Sequence, residues 1–194
     1  MKKTISLLLI LAVLLLIPSG VLAFPSGSWV SGVTVANLTN ETATVLITFY
    51  NQDGSVALSF DGGTIPGNGS KTWYLPSHVS GLSSGFIGSA VVSSDKQIAA
   101  IVNTQLPSGS NPTRVGTSVG VSTPAETIYA TQIMKNYYGW NSYCAVQNTG
   151  SSAFTVSAYY YDQNGNQVGA ARTQSIPANA SDIVDQSVDS GVAN

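Results

Sequence analysis

WVSGVTVANLTNETATVLITFYNQDG, residues 29–54, returns as WNSYCAVQNTGSSAFTVSAYYYDQNG, residues 140–165, at a constant offset of 111 residues and without a gap. The register continues through TIPGNGS (64–70) and SIPANAS (175–181). Trp29 coincides with Trp140, Val35 with Val146, Asn37 with Asn148, Val45 with Val156, Gly54 with Gly165 and Pro66 with Pro177. Core-type and turn-type residues align together over the whole length, which is the signature of a tandem repeat. The chain therefore reads as a first module at 24–107, a linker at 108–125 and a second module at 126–194.

Within the first copy, Val33, Val35, Ala43, Val45, Ile47 and Phe49 alternate with threonines, the period of strands with one buried face. Asn37–Glu41 and Asn51–Gly54 read as turns, Gly54 being free to take a positive φ. Strands are expected near 56–60, 64–65 and 71–75, and Phe86–Ser93 with Gln97–Gln105 as a hairpin around Ser94-Asp95-Lys96. About seven short strands in some 80 residues predict a β-sandwich of immunoglobulin-like type. The fold class expected is all-β, as tandem sandwiches. Leu106–Ala125, rich in Pro, Ser, Gly and Thr, reads as linker, and 126–136 as an entry strand of the second module.

By the same offset Asn194 corresponds to Ser83, so the second module lacks any equivalent of Gly85–Gln105, its last two strands. A sandwich without them exposes apolar core and a sheet edge. Two readings stay open here. The chain is a fragment of a longer array, which the ending Gly-Val-Ala-Asn favours, or a strand from another chain completes the module.

Residues 1–23 stand apart. Lys2 and Lys3 precede an apolar run, Ile5–Ile17, broken by Pro18-Ser19-Gly20 and followed by Val21-Leu22-Ala23. That is the pattern of a helical signal peptide cleaved after Ala23, and the run is shorter than the roughly 20 residues that span a bilayer. The expected location is extracellular or on the cell surface, with no membrane association after cleavage. Residues 24–194 then hold five basic and nine acidic side chains, a net charge of −4. So few cations leave no footprint for nucleic acid or anionic lipid. Charged residues make up 8% of the sequence, against about 25% in ordinary soluble domains, and Ser, Thr, Asn, Gln and Gly solubilise the surface instead. Cys144 is the single cysteine, so an intrachain disulfide is impossible and the core alone must stabilise the fold.

The pattern W-x-S-x-x-x-V-x-N, an alternating strand and then I-P-x-N-x-S, with Met134–Trp140 and Val146–Gly150 in the second copy, resembles immunoglobulin-like repeats of exported bacterial surface proteins. The resemblance covers most of the chain beyond the signal peptide, and its motifs are structural. It implies a surface scaffold and brings no catalytic residues with it.

Residues suited to chemistry are few. His78, the single histidine, lies in a predicted loop without a nearby acid and its repeat counterpart is Asp189, so no Ser-His-Asp arrangement can be assembled around it. Cys144 occupies the position of Val33 and is expected to be a buried apolar residue rather than a nucleophile. Asn51–Gly54 and Asp162–Gly165 lack the further oxygen ligands of a calcium loop and read as hairpin turns. No cofactor or metal is expected. Acceptor triplets for N-glycosylation begin at Asn37, Asn40, Asn68 and Asn179, all in predicted turns, and Asn37 and Asn148 also suit capping of turn backbone.

One difference between the copies concerns binding. With Val146 and Val156 facing inward, Tyr143, Tyr159 and Tyr161 face outward, where the first copy has Gly32, Thr48 and Tyr50. A hairpin pairing Val146 with Val156 would set Tyr143 opposite Tyr159. Such a platform serves contact with a neighbouring module or subunit, or stacking on sugar rings. The expectation is a non-enzymatic structural or adhesive surface protein whose partners are other surface proteins or copies of itself. The alternative is a glycan-binding module pair that uses these tyrosines on polysaccharide.

Overall fold

The computed structural model describes residues 28–106, 115–187 and 189. The predicted signal peptide lies outside these residues. Among them the regular secondary structure is almost wholly β. Seven strands form the first half: β1 (Val30–Asn37), β2 (Ala43–Asn51), β3 (Val56–Ile65), β4 (Ser70–Tyr74), β5 (Gly88–Ser94), β6 (Ile98–Gln105) and β7 (Val115–Val119). A single turn of helix, α1 (Leu75–His78), follows β4, with Pro76 near its start where the missing amide costs nothing.

These strands make two antiparallel sheets, ordered β4-β1-β6-β7 and β3-β2-β5. Alternation decides which residues the sheets share. Val33 and Val35 of β1, Trp73 of β4, Val45, Ile47 and Phe49 of β2 and Ile65 of β3 are all buried in one cluster. Ala90, Val92, Ala100 and Val102, from β5 and β6, pack against that cluster. Edge-to-face rings close it, Phe49 on Phe86 at 6.0 Å and Phe60 on Trp73 at 6.3 Å. At about 25 cal/mol per Å² of apolar surface removed from water, side chains of this size are the main source of stability in a chain so poor in charge.

Three sequence expectations are corrected here. β5 and β6 do not form a hairpin: β5 pairs with β2 and β6 with β1, in opposite sheets. Each has one apolar face, and crossing between sheets at Ser94–Gln97 lets both faces cover the same core. The corner is tied down by Asp95, whose carboxylate accepts the Thr44 amide at 2.7 Å, by the Lys96–Glu41 ion pair, and by the Leu38 amide donating to Gln97 at 2.9 Å. The linker contains a strand, since β7 extends the first sheet along β6 from Ile101↔Val119 to Gln105↔Val115. Residues 126–136 form no strand. They lead into a tight turn at Tyr137–Trp140, where Tyr138 and Gly139 have φ of 49° and 81°. In addition, the segments expected at 56–60 and 64–65 are one strand, β3, whose pairing with β2 shifts at Val45/Leu46 and again at Phe49/Tyr50.

The second half contains β8 (Tyr143–Gln147), β9 (Phe154–Ala158), β10 (Arg172–Ile176) and β11 (Ser181–Asp185). β11 pairs with β8 and β10 with β9, as two separate two-stranded sheets. Cys144 faces Val184 as Val33 faces Trp73, and Phe154 faces Ile176 as Ala43 faces Ile65, each at an offset of 111 residues. Arg172 of β10 reaches Asp182 of β11 at 2.7 Å and ties the two sheets together. Burial is thinner than in the first half. Cys144, Val146, Val156 and Ala158 are half-buried where Val33, Val35, Val45 and Ile47 are fully buried, and Phe154 is 43% exposed.

Candidate functional site

The most completely satisfied polar side chains inside the fold are Asn37 and Asn148, at the ends of β1 and β8, exposed by only 2% and 1%. Nδ2 of Asn37 donates to the carbonyls of Glu41, Ile65 and Pro66 at 2.6, 3.1 and 3.2 Å, and Oδ1 accepts the Thr39 amide and hydroxyl. Nδ2 of Asn148 donates to Ser152, Ile176 and Pro177 at 2.8, 3.0 and 3.0 Å, and Oδ1 accepts the Gly150 amide. The acceptors are the same carbonyls displaced by 111 residues. Each amide pins the loop leaving one sheet to the turn that ends a strand of the other. That is an architectural role.

The same geometry bears on the glycosylation triplets. Asn37 commits its nitrogen to three carbonyls, whereas Asn40 and Asn68 are exposed and Asn179 is half-buried. Asn68 and Asn179 hold φ of 58° and 59°, a left-handed conformation that asparagine tolerates better than most residues.

Tyr159 and Tyr161 are exposed, at 54% and 63%. The expected pairing of Tyr143 with Tyr159 does not form. β8 and β9 belong to different sheets, Tyr143 is half-buried opposite Asp185, and Tyr159 lies beyond the end of β9. Between the exposed rings, Tyr160 points inward at the position equivalent to Phe49. Its hydroxyl donates to Asp189 at 2.7 Å and accepts from the buried Gln186 at 3.1 Å. Burial, reinforced by the Asp189 hydrogen bond, pushes its pKa up to about 12. Sequence reasoning passed over Tyr160. The available signal was a phenol at a core position, which needs a polar partner.

The remaining candidates are structural. Nδ1 of His78 accepts the Tyr74 amide at 3.0 Å across α1. Cys144 is half-buried, and desolvation raises its pKa, opposite to what a nucleophile needs. The carboxylates of Asp53 and Asp162 are spent on turn groups: Asp53 accepts the Ser55 amide and hydroxyl, and Asp162 the Asn164 and Asn166 amides. These bonds hold both pKa values below the ordinary carboxylate range, the Ser55 and Asn166 side chains first. Among the described residues no three His, Cys, Asp or Glu side chains gather as a metal site, and no helix is long and apolar enough to cross a membrane.

The halves also touch each other. The hairpin tip between β2 and β3 meets the turn between β10 and β11: the Ser181 amide donates to the Gln52 carbonyl at 3.3 Å. Gly54, at φ 89°, packs so closely there that a Cβ would overlap the Ala178 carbonyl oxygen and come within 3.0 Å of the Ala180 nitrogen. Glycine is required twice over at this position, by conformation and by space. No family model, curated protein or solved structure matches the chain.

Proposed function

We propose that the protein is a non-catalytic, exported structural or adhesive component of a cell surface, made of two β-sandwich modules of immunoglobulin-like type. The observation that carries this reading is the buried asparagine clamp, present at Asn37 and again at Asn148 with the same set of acceptors. Two of the three buried polar side chains among the described residues are spent on holding the layers together, and the recurring motifs of the sequence are those same turn and core positions. Export is supported by the n-region, apolar run and small residues of 1–23. A cell-fractionation experiment on the full chain in a bacterial host tests the reading. Recovery outside the cytoplasm of a chain that begins at Phe24, by intact mass, is expected. Retention of uncleaved protein in the cytoplasm would refute the export, and turnover of glycoside, ester or peptide substrates lost in a site variant would refute the non-catalytic role.

The second reading, binding of polysaccharide, is favoured by the exposure of Tyr159 and Tyr161. Exposed aromatic rings stack on the apolar faces of sugars. Retention on immobilised polysaccharide that disappears in Tyr159→Ala and Tyr161→Ala, with melting unchanged, would support it. Absence of binding across a broad glycan panel would remove it.

A further inference from the structure

We infer that the hairpin tip Asp162–Gly165 is a docking socket for the turn Pro66–Ser70 of a second copy of this chain, giving head-to-tail association. The inference rests on the two-module reading and names the partner surface within it. The contact to be repeated already exists inside the molecule, where tip 51–54 holds turn 177–181 through the Ser181–Gln52 hydrogen bond and the close approach of Gly54 to Ala178.

Both halves of that contact occur a second time. Tip 162–165 closes with the Gly165 amide donating to Asp162 at 3.0 Å, as the Gly54 amide donates to Asn51 at 3.0 Å, and the glycines have φ of 83° and 89°. Turn 66–70 closes with the Gly69 amide donating to Pro66 at 3.0 Å, as Ala180 donates to Pro177 at 3.1 Å, and Asn68 matches Asn179 in φ. Gln163 stands at the position of Gln52, and Ser70 at that of Ser181.

The used pair and the spare pair differ in exposure. Gly54, Asn179 and Ser181 are half-buried and Ala180 is buried, whereas their counterparts Gly165, Asn68 and Ser70 are exposed and Gly69 is half-buried; Gln52 and Gln163 are both exposed, and Ala178 and Gly67 both half-buried. A Cβ built on Gly165 meets nothing within 4 Å, so the space that Ala178 fills at Gly54 is open there. β4, which begins at Ser70, is the outer strand of its sheet, as β11 is of its own. Because the tip and the turn are different surfaces, the contact is heterologous and continues from copy to copy instead of closing on a two-fold axis. The surface involved is small, so association is weak, with a dissociation constant below about 1 mM rather than nanomolar.

Two variants test this with the fold preserved. Gly165→Asn keeps a residue tolerant of positive φ and fills the socket. Ser70→Pro removes the amide donor at the first residue of an edge strand, a position where proline is accepted. Sedimentation velocity across a concentration series should show dimers and longer species for the wild type. Each variant alone should weaken association at least about tenfold. Mixed one to one, the variants should recover association that stops at the dimer, because the intact tip of Ser70→Pro meets the intact turn of Gly165→Asn. A wild type that remains monomeric to about 1 mM, or variants that assemble as well as it does, would overturn the inference. Amide exchange at Ser181 separates this from failure of the module reading: a monomer in which Ser181 stays protected loses only the second-copy contact.

Discussion

Replacing Asn37 by alanine removes a side chain whose every polar atom is used inside the protein. Three carbonyls lose the Nδ2 donor, and the Thr39 amide and hydroxyl lose their acceptor. A net hydrogen bond is worth about 1 kcal/mol, and a buried partner left unsatisfied costs about 1–3 kcal/mol. The Ile65 carbonyl is the buried acceptor of the set, while Glu41 is exposed and Thr39 half-buried, so both can regain water. One stranded buried carbonyl plus two lost bonds gives about 3 kcal/mol, a large share of a domain's stability. Asn37→Asp is nearly isosteric but turns the donor into an anion facing three carbonyl oxygens, so at neutral pH it should cost at least as much. Asn40→Ala, at an exposed neighbour, should cost under about 0.5 kcal/mol. The measurement is urea unfolding followed by circular dichroism, with stability taken from the midpoint at unchanged slope. A loss under about 1 kcal/mol for Asn37→Ala, or a loss equal to that of Asn40→Ala, would refute the clamp as a source of stability.

Gly54→Ala should destabilise more than Gly165→Ala by about 1–2 kcal/mol, because both carry the strain of positive φ but only Gly54 meets the Ala178 carbonyl; equal losses in dilute solution would refute the contact between halves. Tyr160, with a folded pKa raised from 10.0 to about 12, contributes stability that is fully present below pH 10 and is lost as pH rises through about 12. Alkaline unfolding of the wild type should therefore steepen over that window and that of Tyr160→Phe should not, and identical profiles would sink the assignment. The Cys144 thiol, its pKa raised by burial, should be alkylated more slowly at neutral pH in the folded protein than after denaturation; equal rates would place it at the surface.

The all-β character and the inward residues were legible because alternation marks a buried face whatever the strand's neighbours are. Val33, Val35, Val45, Ile47 and Phe49 are all buried as their spacing predicts. Alternation carries no information on which strand pairs with which. β5 and β6 are adjacent in sequence and read as a hairpin, yet a three-residue corner also suits a crossing between layers. The same gap misplaced Tyr143 and Tyr159, whose meeting depended on β8 pairing with β9. β7 was hidden by composition: Val115–Val119 sits among Pro, Ser, Gly and Thr, and an outer strand needs backbone pairing more than an apolar face. The polar partners of Tyr160 lie 26 and 29 residues further on, a separation that no local pattern encodes. Asn37 and Asn148 were legible as turn-capping residues, but that each reaches into a strand 28 residues away was not.

The crossing of strands between layers has a consequence for how the chain folds in time. β1 has its outer neighbour in β4 and its inner neighbour in β6, and the latter pairing joins Val30 to Gln105. Closing such a loop costs chain entropy before any contact rewards it, and folds dominated by distant pairings form in milliseconds to seconds rather than microseconds. A chain that emerges N-terminus first cannot pair β1 with β6 until Gln105 is out, so β1 waits unpaired on its inner side while some 70 residues follow it. The order of the strands therefore keeps the N-terminal half of the chain open, with an unsatisfied strand edge, for as long as its distant partner is missing.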